Sequence, residues 1–316
     1  MKKLYSFILI GMLVSCTTTQ HSVLQTELTS NCNQENSYNY SKSDIPKPLY
    51  EIEIDTVLSS RLKEKDLNVA NAIGLTSILS EYIHKKKNLQ QAPSIQNQLD
   101  LISLKQKINS RMDLASLEIS SVAAELDCEE ERITQIASFL KEKEMKTETR
   151  LTVGSIILGS LTAIVTGALV ISNDESKTAE YIGVGVGIAD AALGVMILTN
   201  HRKIELKHPR NVLREIWLAT ETSTVYPPSI WYYLNYSNPQ KGESSLREQL
   251  ILNWKNYEQV SDTKSKNNAL DIYFSDGGIY STDQLENRAN MYDQIESTIK
   301  LMKQDLRNLG QSIEKL

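Results

Sequence analysis

The chain has 316 residues, with 34 Lys and Arg against 39 Asp and Glu, a formal charge of −5 and 41% hydrophobic residues. Mild acidity excludes the basic footprint of a nucleic-acid binder, and the length allows one large domain or two smaller ones. No Cys-x-x-Cys occurs among the three cysteines, and His21, His84, His201 and His208 are scattered, so no zinc site is predicted.

Lys2 and Lys3 precede an apolar run, Leu4 to Val14, broken only by Ser6 and Gly11. A basic start and a short apolar stretch are the physical features of an export signal. The run is about 11 residues, too short to span a ~30 Å hydrocarbon layer. Leu13-Val14-Ser15-Cys16 then resembles the lipobox of bacterial lipoproteins. That resemblance implies a signal peptide over 1–15, cleavage before Cys16, diacylglycerol on its sulfur and acylation of the new amino group. Membrane lipid would then be the first partner, and losing Lys2 and Lys3 would take the charge from −5 to −7. The competing reading is an ordinary secretory signal with an incidental cysteine. Thr17 rather than Asp follows Cys16, which by resemblance to enteric lipoproteins implies the outer membrane, facing the periplasm. Cys32 and Cys128 remain; in an oxidising compartment a disulfide between them is expected, against the alternative of a buried Cys128 and a loose Cys32.

Residues 16–50 are rich in Ser, Thr, Asn and Gln and read as a flexible tether, its second half pinned if Cys32 bonds elsewhere. A helical, coiled-coil region is predicted over 51–150. Asp55 is a good N-cap, and the pattern resumes after Asp66 with Val69, Ile73, Leu79 and Ile83 before Pro93 breaks it. A long helix follows from about Ser94 to Arg150. Its apolar positions include Leu104, Ile108, Met112, Ala115, Ile119, Val122, Leu126, Ile133, Ile136 and Leu140, with a polar slot at Glu129. Steps of three and four from Met112 onward keep one narrow stripe toward a partner helix. The partner is either a helix of the same chain or another copy.

Residues 151–203 read as a hydrophobic helical hairpin. Leu151 to Ile171 carries no charge over 21 residues, about 31 Å as a helix, the thickness of a bilayer core. Ser172 to Lys177 is a polar turn, and Ile182 to Thr199 is a second apolar run with one charge, Asp190. Gly159, Ala163 and Gly167 recur every four residues, as do Gly183, Gly187 and Ala191. Such rows allow close helix packing in lipid, and the pair resembles the glycine-zipper hairpins of assorted bacterial envelope proteins. Gly183-x-Gly185-x-Gly187 is not a nucleotide loop, because no strand precedes it and the spacing departs from the dinucleotide fingerprint. Eight of the 21 residues in the first run are Gly, Ser or Thr, which weakens insertion enough for the segment to pass the translocon. Stopping there would also invert the usual charge bias, so the hairpin is expected to act from the periplasmic side. It either inserts into a membrane or forms the buried centre of a soluble assembly. Asp190 is expected as a buried polar group, partnered in a bundle by Ser160, Thr162 or Thr166. His201 and His208, near Arg202 and Arg210, suggest a basic patch at the hairpin's exit.

Residues 204–283 hold all three tryptophans, Trp217, Trp231 and Trp254. Short helices are predicted at about 210–219, 228–236 and 244–257. Ser275-Asp276-Gly277-Gly278 reads as a tight turn joining 272–274 to 279–280 in a small β-ribbon. The aromatics form a satellite core or, alternatively, a recognition face. From 284 to 316 a heptad helix steps cleanly through Tyr292, Ile295, Ile299, Met302, Leu306, Leu309, Ile313 and Leu316, capped by Asp283 and packed antiparallel on the long helix.

The fold class expected is all-α: a long-helix bundle or coiled coil, a central hydrophobic hairpin, and a small aromatic-rich, mostly helical module. No nucleophile elbow, phosphate loop, His-Glu-x-x-His or paired-carboxylate signature is present, so no cofactor and no catalysis are expected. The leading functional expectation is a structural envelope lipoprotein that forms homo-oligomers or binds an envelope protein. The alternatives are an α-helical pore former, by analogy of layout alone, and an adaptor of a secretion or surface machine.

Overall fold

Asp55 caps the first α-helix among the described residues, α1, Thr56–Arg61, its carboxylate accepting from the Val57 amide at 2.8 Å. In the computed structural model, residues 32, 37–171, 178–260 and 272–316 are described. Cys16 and the signal peptide expected over 1–15 lie outside them. After α1 come α2, Glu64–Ala72, and α3, Thr76–Gln91. Gly74, at φ +67°, makes the left-handed corner between them at no steric cost. Leu75, Leu79 and Ile83 are thereby turned into the core.

Helix α4 runs without interruption over Ile95–Ile171, 77 residues or about 115 Å. The helix expected to end near Arg150 instead continues into the hairpin. Thr149-Arg150-Leu151-Thr152-Val153 contains no Pro or Gly, and the Thr147 and Thr149 hydroxyls bond back to the carbonyls of Lys143 and Met145. The helix ladder therefore carries the bundle directly into the hairpin. Its return arm is α5, Thr178–Leu198.

The chain then forms β1, Lys203–Lys207, followed by α6, Val212–Leu218, α7, Pro228–Asn235, and α8, Leu246–Asn256. A second strand, β2, Gly277–Ser281, pairs antiparallel with β1, with Lys203 opposite Ser281 and Lys207 opposite Gly277. The β-ribbon is thus long-range, whereas 272–274 form a helical turn. Alternating Ile204 and Leu206 supply its buried face. Gly277 is required in β2: at φ +152°, an added Cβ would lie 2.6 Å from the Leu206 carbonyl oxygen.

The last helix, α9, covers Thr282–Ile313. Its cap is Ser281 and not Asp283: the Ser281 hydroxyl accepts from the Gln284 amide while the Gln284 side chain reaches back to the Ser281 amide. It packs antiparallel on α4. Lys141 pairs with Glu286 at 2.8 Å, Lys303 reaches Ser120 at 2.7 Å, and Gly310 lies beside Met112. Each three-four stripe read from the sequence lies along this seam. Ile119, Val122, Leu126, Ile133, Ile295, Ile299, Met302 and Leu309 are all buried. The long helix therefore finds its partner within the chain. The polar slot is occupied by a Glu129–Arg132 ion pair of 2.7 Å, partly sheltered on both sides.

Two further expectations bear on the fold. The tether is not free over its second half, as expected if Cys32 bonds elsewhere. The Tyr38 amide bonds the Thr224 carbonyl, the Tyr40 hydroxyl bonds the Tyr226 carbonyl, each at 3.0 Å, and Leu49 is buried. Tyrosines and a leucine within polar sequence provide enough apolar surface to dock. Nor do the aromatics of 204–283 form a separate satellite. Trp231, Trp254, Tyr226 and Tyr233 belong to the same contiguous core as the stripes of α4 and α9, with Tyr226 stacked on Trp231 at 5.5 Å and Trp217 on Phe274 at 4.7 Å. The fold is an all-α long-helix bundle with a single short ribbon among the described residues.

Candidate functional site: the apolar hairpin

The hairpin stands outside the core. No described residue between 151 and 198 belongs to the contiguous hydrophobic cluster, and Ile156, Ile164, Val184 and Ile188 are 60–68% exposed. Exposed apolar area of this extent is unusual on a soluble surface and marks a contact with lipid or protein. By length and composition, α4 includes a stretch able to cross a membrane, none of it buried by the rest of the chain, while Ile182–Leu198 is a shorter apolar helix.

The arms meet along a heptad-like seam. Leu151, Ser155, Gly159, Thr162, Thr166 and Leu169 are half-buried on one side, and Ile182, Val186, Ala189, Asp190, Leu193 and Ile197 on the other. The expected small-residue rows do not make this seam. Gly159 does touch it, its added Cβ falling 3.8 Å from Asp190 Oδ2. At Gly167, Gly183 and Gly187 an added Cβ would meet nothing within 4 Å, and Ala163 and Ala191 are exposed. Helical geometry explains the correction. A strict four-residue step drifts about 40° per step off a straight line, so the 159–163–167 row winds away from the partner. Gly183 and Gly187 each sit one residue past a seam position.

Asp190 is half-buried rather than buried. Its partner is Ser155, whose hydroxyl donates to Oδ1 at 3.0 Å. Ser160, Thr162 and Thr166 instead bond their own backbone, to the carbonyls of Ile157, Leu158 and Thr162 at 2.9, 2.8 and 2.7 Å.

At the base, Glu144 gathers three elements, and nothing in the sequence pattern marked it. Its Oε1 accepts from the Arg202 amide at 2.6 Å, its Oε2 from the Thr282 hydroxyl at 3.1 Å, and its carbonyl from the Asn200 side chain at 3.2 Å. The outgoing helix, the hairpin exit and the first turn of α9 are thereby tied together. The basic patch expected here includes less than foreseen. His208 is buried beneath the exit, bonded through Nε2 to the Tyr280 hydroxyl at 2.7 Å. Burial, and then the Arg288 guanidinium, push its pKa down to about 3. Arg210 is engaged with Glu125 at 2.7 Å. His201 and Arg202 remain exposed.

The disulfide joins Cys32 to Cys128, 96 residues apart in sequence with Cα atoms 5.6 Å apart, and pins the N-terminal segment to the side of α4.

A second polar cluster lines a cleft of about 580 Å³ between α1 and α3. There Asp55 Oδ2 accepts from the Ser80 hydroxyl at 2.5 Å and contacts His84 Nε2 at 2.6 Å. The serine first, then the histidine and the Val57 amide, hold the Asp55 carboxyl well below the usual carboxylate range. The carboxylate lies between the other two, so His84 is not placed to take the serine proton, as a nucleophilic triad requires. The cluster fastens α3 to the cap of α1. Among the described residues no group of three or more His, Cys, Asp or Glu is placed to hold a metal ion. A scan against protein-family models, and searches of curated proteins and of solved structures, return no match.

Proposed function

We propose that this chain is a structural lipoprotein of a bacterial envelope, anchored through acylated Cys16 and presenting an apolar hairpin to a membrane. The observation that carries this reading is the placement of the hairpin: some 20 residues of α4 and most of α5 lie beyond the core with their apolar faces uncovered. A continuous helix is a stiff strut, so force or position at the bundle passes directly to the hairpin. The lipid at Cys16, on the outer membrane and facing the periplasm, would supply a second attachment. The diacylglycerol and the amide-linked chain at Cys16 already exceed the two lipid signals that give stable anchoring, so the hairpin adds a site of action rather than the hold itself.

A second reading, self-association in lipid, is favoured by the outward-facing small residues. Gly167, Gly183 and Gly187 leave open space beside them, into which the helix of another copy could pack closely. That arrangement could be a scaffold or, if it encloses water, a pore.

The test of insertion is an Ile156→Asp, Ile164→Asp, Ile188→Asp variant. All three side chains are exposed, so the bundle should fold unchanged, while each carboxylate opposes insertion by about 2.5–3.5 kcal/mol. Compared as mature chains without the acyl groups, which would hold either one on lipid, the variant should float free of vesicles that retain the parent. Equal retention of both would remove the insertion reading. Dye leakage from the same vesicles separates a pore from a scaffold.

A further inference from the structure

Cations collect where the apolar hairpin meets the bundle. Residues 141–150 and 200–203 carry Lys141, Lys143, Lys146, Arg150, Arg202 and Lys203 against Glu142, Glu144 and Glu148, in a chain whose overall charge is −5. All six cations are exposed. Lys141 and Lys146 pair with Glu286 and Glu142, and Lys143 lies over the Phe139 ring at 5.2 Å. Arg150, Arg202 and Lys203 make no ion pair among the described residues; the Arg202 guanidinium reaches only the Thr147 hydroxyl, at 3.4 Å.

Their level on the hairpin gives them meaning. Arg150 immediately precedes Leu151, the first residue of the uncharged run. The Glu144 tie, with its 2.6 Å bond from the Arg202 amide, draws the exit of the return arm to the same end. Nine positions separate Lys141 from Arg150, so the cations of α4 occupy a band about 13–14 Å deep along the axis. Asp190, held by Ser155, lies about 7–8 Å past Arg150 on the apolar side, near the edge of that side rather than its centre.

We propose that this collar is a docking surface for the anionic headgroups of a phospholipid leaflet, engaged as the hairpin enters it. The inference rests on the insertion reading above and adds the partner's charge. A leaflet offers phosphates directly beside its hydrocarbon, in the same order as cations and apolar side chains succeed one another here. A free anion would satisfy the cations and leave the adjoining apolar face wet.

The probe is the mature chain from Cys16 onward without its acyl groups, with vesicles of phosphatidylcholine alone or with about a third phosphatidylglycerol, at low and high salt. Each cation near an anionic surface strengthens partition about five-fold. Arg150→Gln, Arg202→Gln, Lys203→Gln should therefore lose roughly 100-fold of its binding to the anionic vesicles and none of its binding to the zwitterionic ones. Arg150→Lys with Arg202→Lys should bind like the parent, since headgroup attraction needs charge rather than a fork. High salt should erase the preference, because the screening length falls from about 10 Å at 0.1 M to about 3 Å at 1 M. Equal binding of the parent to both vesicles would overturn the collar and leave insertion standing. Binding to neither would overturn both. An undiminished preference in the triple Gln variant would also overturn it. So would release by inorganic phosphate beyond that by chloride at matched ionic strength, which would mark a phosphate pocket instead.

Discussion

Replacing Cys32 and Cys128 by Ser removes a cross-link between residues 96 apart in sequence. In the chain-entropy account, a loop of that size restricts the unfolded chain by about 4–5 kcal/mol, a large share of the roughly 5–15 kcal/mol that holds a domain together. The native side of the equilibrium loses little, because the segment after Cys32 has its own attachments. Tyr38 and Tyr40 are hydrogen-bonded to the 224–226 backbone, Asn71 bonds the Lys47 carbonyl at 2.8 Å, and Leu49 is buried. The loss should therefore appear almost wholly as a more favourable unfolded state. Urea unfolding of the oxidised parent and the double Ser variant reads this directly. With a slope of about 2–3 kcal/mol per molar, the midpoint should fall by roughly 1.5–2 M. Hydrogen exchange should still find the Tyr38 amide protected in the variant. A midpoint shift within about 0.3 M at unchanged slope would refute the argument. So would loss of protection at Tyr38, which would show that the bond organises the native segment rather than restricting the unfolded chain.

Cys16→Ala should leave an unprocessed precursor that incorporates no labelled fatty acid; normal processing and labelling of that variant would remove the lipid anchor. His208 has a folded pKa of about 3, below its ordinary value of 6.5. Its contribution to stability is therefore complete above pH 6.5 and is lost as pH falls from there toward 3, by up to roughly 4–5 kcal/mol. His208→Phe, which keeps the ring volume in its buried site, should flatten the acid limb of a stability–pH curve; an unaltered limb would assign acid sensitivity elsewhere. Gly167→Leu, Gly183→Leu, Gly187→Leu should preserve the fold of the bundle, since nothing lies within 4 Å of the added Cβ atoms. The same variant should lose cross-linked oligomers if those faces join copies, and a ladder identical to the parent's would show the glycines to be incidental.

Much of the architecture was legible because it is periodic. A helix repeats every 3.6 residues, so the stripes from Met112 to Leu140 and from Tyr292 to Leu316 declare helices that bury one face. The cap at Ser281 was equally readable in Ser281-x-x-Gln284, yet Asp283 competed with it because an acidic residue also suits a first turn. Strand β1 carried a faint signal, the alternation Lys203-Ile204-Glu205-Leu206-Lys207, overshadowed by the hairpin before it. Its partner, β2, lies 70 to 78 residues away, and no local rule names a partner at that distance.

The hairpin divides most sharply between the two kinds of information. Sequence by itself determined that 151–171 and 182–199 are apolar and helical and that the first is long enough to cross a membrane, because composition and period are properties of a segment. It determined as well the class of the fold and the two cysteines available to pair. Only the tertiary structure decided which faces of the hairpin meet. Helical drift takes a four-residue row off the seam, and Ser155, rather than any of three other hydroxyls, reaches Asp190. It alone placed the aromatics of 204–283 inside the common core and joined Glu144 to Arg202 and Thr282. Those contacts depend on where distant segments come to rest, which is set by the packing of the whole chain and by no stretch of it.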